Sequence, residues 1–471
     1  MRFLQLAAFV LTAVTSFVSQ AASWKYENGG QTLHVFLDYE SGLYNLRAYA
    51  VKPGELQTLL QERTFAQASE ARQHAKEFLS ENGWTGAVSF EANLTEKPSA
   101  PEFATEVTGS VIWTATKKWN QEWERKFSHW IQTEIDLSFF SRYNIKTDCA
   151  DVIVGLRWIF SRIHSLPVGN ALAGSGQLFT HESMRKSWVG LPRHSNWYQD
   201  ALFMTALDYV MDNTFTRSIL WDGYPISISA KAFVPGTFHL EFHSAGGHTM
   251  IVNEVDATGG RFGLIQSTLP REVRDLGAAE YQHASQPQRA DGGFLRMRWL
   301  EKTAKGWAFA DENKHPDYSI EQYSPAFMSG TSNFSNAVRS HLSGHASQSN
   351  PYSELIAGME TLWGKIEPRL KLVQEGYSVC QVSDCRPGTR NWDQYSTPGR
   401  DSHIKEMIRY VQGIVRDNPR DGQIASAYSQ FAGYRMDVAD RSTTLGELMD
   451  NFLKGRTSGD PRVSVARRWG F

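Results

Sequence analysis

A thiol, an imidazole and a few amide and hydroxyl groups are the side chains through which this sequence could do covalent chemistry. Cys149 stands in the run Thr147-Asp148-Cys149-Ala150-Asp151, and Val152, Leu156, Ile159 and Ile163 follow at spacings of four, three and four. That spacing predicts an amphipathic helix over residues 149–163, with Thr147 or Asp148 able to cap its first turn. Cys149 then sits at the helix N-terminus, where unsatisfied N–H groups and the helix dipole favour an anion, and a thiolate is an anion. The same N–H groups could hold the oxyanion of a tetrahedral intermediate. Ala150, small, leaves room for a substrate beside the sulfur. A lone cysteine is ordinarily a buried structural thiol; the place of this one at a helix start is what favours a nucleophile.

The chain has two other cysteines, Cys380 and Cys385, in a stretch whose Ser, Asp, Pro and Gly residues mark a loop. An oxidising compartment would close that loop with a disulfide and leave Cys149 unbridged.

A base for the thiol comes from a second segment. Pro235-Gly236 turns the chain into a strand beginning at Phe238, Gly246-Gly247 turns it again, and His248 opens the next strand, His248 to Val255. A further turn over Asp256–Arg261 sends Phe262–Thr268 back beside it. Gln266, Ser267 and Thr268 should then fall near the imidazole. Gln266 is the first choice to orient it, because its amide oxygen can accept the ring N–H, and Ser267 is the second. A bulge between the two strands would change that register. Cys149 as nucleophile, His248 as base and Gln266 or Ser267 as orienter make the set that covalent catalysis needs. His243 reads as a loop residue and His239, alternating with apolar neighbours, as packed.

Asp148-Cys149-Ala150 with a helix and Leu166-Pro167 behind it resembles the nucleophile segment of the NlpC-type cell-wall cysteine peptidases and related amidases. Val234-Pro235-Gly236-Thr237-Phe238 and Gly247-His248-Thr249-Met250-Ile251-Val252 resemble the two strands that follow in that family. The order and spacing of the three motifs, over about 130 residues, are more specific than any one of them. Asp151, Thr237 and Met250 depart from the family pattern, which has Gly, Asp and Gly there, and the stretch from Pro167 to Val234 is long. The resemblance implies a papain-like fold, a peptide or amide bond as substrate, peptidoglycan stem peptides foremost, and a polar residue on the strand after His248. A transglutaminase-like acyl transferase uses the same order of residues but usually an Asp as the third. A cell-envelope binding protein that kept the fold and lost activity is the reading outside enzymology.

Around these residues four regions are expected in an α+β chain. Residues 1–22 combine Arg2, an apolar run from Leu4 to Val18 and small residues at Ala21 and Ala22, the pattern of a cleaved secretory signal, which implies a periplasmic or secreted protein. Residues 23–105 read as a small α+β domain with strands at 32–37 and 43–50, a helix from Phe65 to Asn82, a short strand at 87–92 and a linker at 97–101. Residues 106–312 hold the papain-like core, a helix bearing the nucleophile packed on an antiparallel sheet; Trp119, Trp123, Phe127 and Trp130 line one helix face there, as core. Residues 313–471 read as mainly helical, with helices at 350–375, 402–416 and 444–454.

The 48 basic and 50 acidic residues nearly cancel, which argues against a nucleic-acid partner. No run after the signal reaches the roughly 20 apolar residues of a membrane span. No phosphate loop, dinucleotide glycine pattern or metal-ligand spacing is present, so neither cofactor nor metal is expected. Arg271 and Arg274, just past the third strand, read as a solvated face.

Overall fold

The computed structural model describes residues 22–28, 30–40, 43–84, 88–90, 101–243, 246–256, 260–279, 281, 283, 285–343, 351–386, 391 and 395–471. The expected signal up to Ala21 and the linker up to Ala100 lie outside them. The described residues divide into two compact units. The first is drawn from Met1–Glu40, Tyr44–Tyr281 and Pro287–Ser324, the second from Ser41–Leu43, Gln282–Gln286 and Pro325–Phe471. The architecture is α+β with antiparallel sheets.

In the first unit, strands β1 (Ala22–Asn28), β2 (Gln31–Glu40), β3 (Leu43–Val51), β4 (Thr58–Phe65) and β5 (Val88–Phe90) form one sheet in the order β4-β3-β2-β1-β5. Alternation divides its faces. Leu33, Val35, Leu37, Leu46 and Ala48 pack with Trp24 and Tyr26 under helix α1 (Ala68–Glu81). Phe36, Asp38, Arg47 and Tyr49 fall on the other face. The sequence signals miss β1 and β4, and the expected helix start at Phe65 is corrected: Phe65 ends β4, and the helix begins at Ala68.

Helix α2 (Gln121–Glu134) is capped by Asn120, whose side chain accepts the Trp123 N–H. Phe127 is fully in the core and Trp123 and Trp130 pack against it, while Trp119 precedes the helix and stacks on Arg157. Helix α3 (Cys149–His164) is buried from Cys149 through Ser161. Its expected one-sided pattern is corrected, since Ile163 is 42 % exposed and the remaining faces are covered all round, as befits a helix apolar on every side. One cover is helix α4 (Ala201–Asp212). The short helix α5 (Thr216–Ile219) follows it.

The other cover is a six-stranded antiparallel sheet. Its strands are β6 (Gly223–Pro225), β7 (Phe238–His243), β8 (Gly246–Asp256), β9 (Arg261–Gln266), β10 (Gly277–Ala279) and β11 (Gly292–Met297), ordered β10-β9-β8-β7-β11-β6. Helix α3 packs against β8. The Pro235-Gly236 turn falls where expected. Gly236 has φ +90°, and a Cβ there would meet the Phe127 ring at 2.9 Å, so only glycine serves.

The second unit contains α6 (Phe334–Ser343), α7 (Pro351–Cys380), α8 (Pro398–Asp417), α9 (Gly422–Ala432), a β-hairpin over Arg435–Thr444 and α10 (Leu445–Leu453). Thr444 caps α10, its hydroxyl accepting the Glu447 N–H. Helix α9 has no counterpart among the sequence expectations. Helix α7 outruns its expected end, so Cys380 closes a helix instead of lying in the loop; it is bonded to Cys385 as expected. Among the described residues no helix is long and apolar enough to cross a membrane.

Candidate active site

Cys149 is the first residue of α3, 1 % exposed, and in no disulfide. Asp148 is the N-cap. Its carboxylate accepts the Asp151 N–H at 3.2 Å, and the Asp151 carboxylate accepts the Asp148 N–H at 3.0 Å, a reciprocal capping box. Asp151, one of the departures from the family pattern, thus has a structural task. The box uses the N–H groups of Asp148 and Asp151 and leaves those of Cys149 and Ala150 to other partners.

Two buried carboxylates beside a would-be thiolate would repel it unless balanced. Arg47, from β3, reaches Asp148 at 2.5 Å and Glu62 at 2.8 Å. Arg271 reaches Asp151 and Asp208, each at 2.7 Å, and also pairs with Asp212. Burial works against both guanidinium charges, but the surrounding carboxylates hold them above the ordinary arginine range. Burial and the adjacent Asp148 push the Asp151 carboxyl up, with Arg271 opposing. Burial likewise lifts Asp212 to about 6. The solvated-face reading of the two arginines is corrected: the Arg271 side chain is 6 % exposed, and Arg274 hydrogen-bonds Thr268 at 2.8 Å and pairs with Glu272.

His248 is the third residue of β8 and 8 % exposed. Its ring Nε2 lies 2.5 Å from Gln266 Oε1. An amide oxygen only accepts, so Nε2 carries the hydrogen and Nδ1 holds the basic lone pair. The register explains why Gln266 is the partner. Asp256 pairs with Arg261 and Glu254 with Gly263, but past a bulge at Asn253 the pairing becomes Val252 with Leu264 and Ile251 with Ile265. That one-residue shift puts Gln266 on the His248 face and turns Ser267 to the other; an unbroken ladder would have done the reverse. Ser267 donates to the Thr147 carbonyl at 3.1 Å and meets the Thr147 hydroxyl at 3.0 Å, tying the end of β9 to the residues ahead of Cys149. It orients the helix start, not the imidazole.

The contact that ties the Cys149 sulfur to β8 runs through Thr216, which sequence reasoning missed. Its Oγ1 is 3.4 Å from the Cys149 sulfur. Its methyl lies against Gly247, next to His248: a Cβ at 247 would meet Thr216 Cγ2 at 2.7 Å and the Phe242 ring at 2.7 Å. His239 is buried, its Nε2 3.1 Å from the Tyr281 hydroxyl, and is packed as expected. The His243 side chain lies outside the described residues.

Comparison with protein-family models, with curated proteins and with solved structures finds no match to this chain. The arrangement therefore has to be judged on its own chemistry. It offers an unbridged thiol at a capped helix start and buried arginines that offset the nearby carboxylates. The expectation that His248 is the base is corrected, because strand alternation turns Ile251 towards α3 and His248, with Glu241 and Gln266, to the opposite face of the sheet.

Proposed function

We propose that this protein is a cysteine hydrolase of papain-like type, related to the NlpC-type cell-wall peptidases, that cleaves a peptide or amide bond. The observation that carries the reading is the Cys149 thiol at the capped start of α3, with the Thr216 hydroxyl 3.4 Å from the sulfur. A core thiol would be as buried as Cys149, but it would not need a helix start and a hydroxyl at the sulfur, both of which favour the ionised form. In the reaction, the Cys149 thiol gives its proton to solvent and the thiolate sulfur bonds to the substrate carbonyl carbon. The helix-start N–H groups stabilise the oxyanion. The C–N bond then breaks as the leaving amine takes a proton from solvent, and water releases the acyl group as a carboxylate and restores the thiol. With an export signal at its N-terminus, the protein would work in the periplasm or outside the cell. Peptidoglycan stem peptides are the foremost substrate there.

Amine release from peptidoglycan fragments and from a peptide library tests this. Cys149→Ser should lower kcat/KM by at least about a thousandfold, whereas His248→Ala, on the other face of the sheet, should lower it far less. Turnover that survives Cys149→Ser would overturn the reading. A wild type inert on every substrate, with Cys149 unreactive to iodoacetamide, would leave a binding protein.

A further inference from the structure

We infer that Thr216 is a positioning residue of this site, one that fixes the Cys149 sulfur and the His248 strand with a single side chain. The inference rests on the hydrolase reading for its catalytic meaning but on geometry for its substance. The Thr216 hydroxyl lies 3.4 Å from the sulfur. Its methyl fills the space opposite Gly247, where a side chain on the strand could not fit. A β-branched residue holds few rotamers, so hydroxyl and methyl are presented in fixed directions.

The backbone on either side of Thr216 is fastened. The Phe215 ring packs edge-on against Phe36 at 5.1 Å, and the Phe215 N–H donates to the Ser218 hydroxyl at 3.0 Å. Arg217 reaches Asp38 at 3.1 Å and lies over the Phe242 ring. Two of these anchors, Phe36 and Asp38, belong to β2, so the face of the N-terminal sheet opposite α1 holds Thr216 in place. A serine would supply the hydroxyl without the strand contact. A valine would keep the shape and lose the hydroxyl. The hydroxyl donates to the sulfur once the thiol is ionised, and a donor aimed at an anion favours the ionised form.

The pH dependence of Cys149 alkylation by iodoacetamide, read by mass spectrometry on the full chain, tests this without needing the substrate. The midpoint reports ionisation, and the plateau reports access to the buried sulfur. Thr216→Val should move the midpoint up by about one to two pH units, and Thr216→Ser should return it to the wild-type position. On a cleaved substrate, Thr216→Val should lower kcat with KM nearly unchanged. Equal thermal unfolding of wild type and Thr216→Val shows that the variant is folded. A Thr216→Val midpoint at the wild-type value overturns the inference and leaves the hydrolase reading intact. A shifted midpoint in a protein that cleaves nothing sustains the thiol contact and removes the hydrolase reading.

Discussion

An imidazole is oriented only by a side chain on its own face of the sheet, and which polar residue of β9 has that place depends on Asn253. Because of the bulge there, Gln266 takes the ring N–H and Ser267 ties Thr147. The two should therefore separate in mutants. Gln266→Leu leaves a buried ring N–H without its acceptor and should mainly lower stability, by about 1–3 kcal/mol. Ser267→Ala frees the residues ahead of Cys149 and should lower kcat/KM several-fold as well as stability, by about 1 kcal/mol. Steady-state kinetics and urea unfolding of both decide it: a larger kinetic loss in Gln266→Leu would place His248 on the α3 face. The helix start at Cys149 and the pairing of His248 with Gln266 were legible because a helix start, a Gly-Gly turn and a strand pair are local patterns. The bulge was not, since no residue type marks Asn253. Thr216 and Arg47 were not either. They stand 67 residues from Cys149 and 101 from Asp148, and only the tertiary fold brings them in.

Elements buried on one side were read well, and those covered on both sides were not. Helix α10 and strands β2 and β3 show their periods. Helix α3 is apolar nearly all round, so its period indicated one face where the structure covers all of them. The N-terminal sheet looked unconnected with chemistry because its alternation was read for one core only. Its second face presents Arg47 to the Asp148 cap and Phe36 and Asp38 to the Thr216 segment. This makes the sheet a support of the candidate site around Cys149. Arg47→Ala would leave the Asp148 carboxylate, 2 % exposed, without its countercharge. Removing one partner of a buried pair costs about 3–5 kcal/mol, so the urea midpoint of the variant should fall steeply. A loss under about 1 kcal/mol would mean that water already reaches the cap, since that is the worth of an exposed pair.

For the whole molecule, near-zero net charge conceals how much charge is inside. Glu124, Arg157 and Arg296 form a buried group with contacts of 2.6 and 2.7 Å, and Arg369 and Asp401 pair in the second unit at 2.6 Å. Composition could not reveal this, because it counts charges without placing them. Most buried carboxylates here have a cation, but Asp222, between α5 and β6, is held by neutral donors: the Asn170 amide at 2.9 Å and the Ala171 N–H at 3.1 Å. Asn170 in turn accepts from Trp158 in the middle of α3, so the carboxyl belongs to the scaffold of the Cys149 helix. Burial, opposed by those hydrogen bonds and more weakly by the Arg298 charge, lifts its pKa to about 7. Below about pH 4 the acid is protonated folded or unfolded. Between about 4 and 7 the unfolded chain releases the proton while the folded one keeps it, so the Asp222 contribution to stability declines as pH rises and is gone above about 7. Other carboxylates shape the absolute profile, so the test is a difference. Asp222→Asn, neutral at every pH, should gain on the wild type by a few kcal/mol in unfolding free energy from pH 4 to 8, at about 1.4 kcal/mol per unit within the window. A constant difference across that range, measured by urea titration at each pH, would mean that Asp222 is ionised in the folded protein and that a cation or water reaches it.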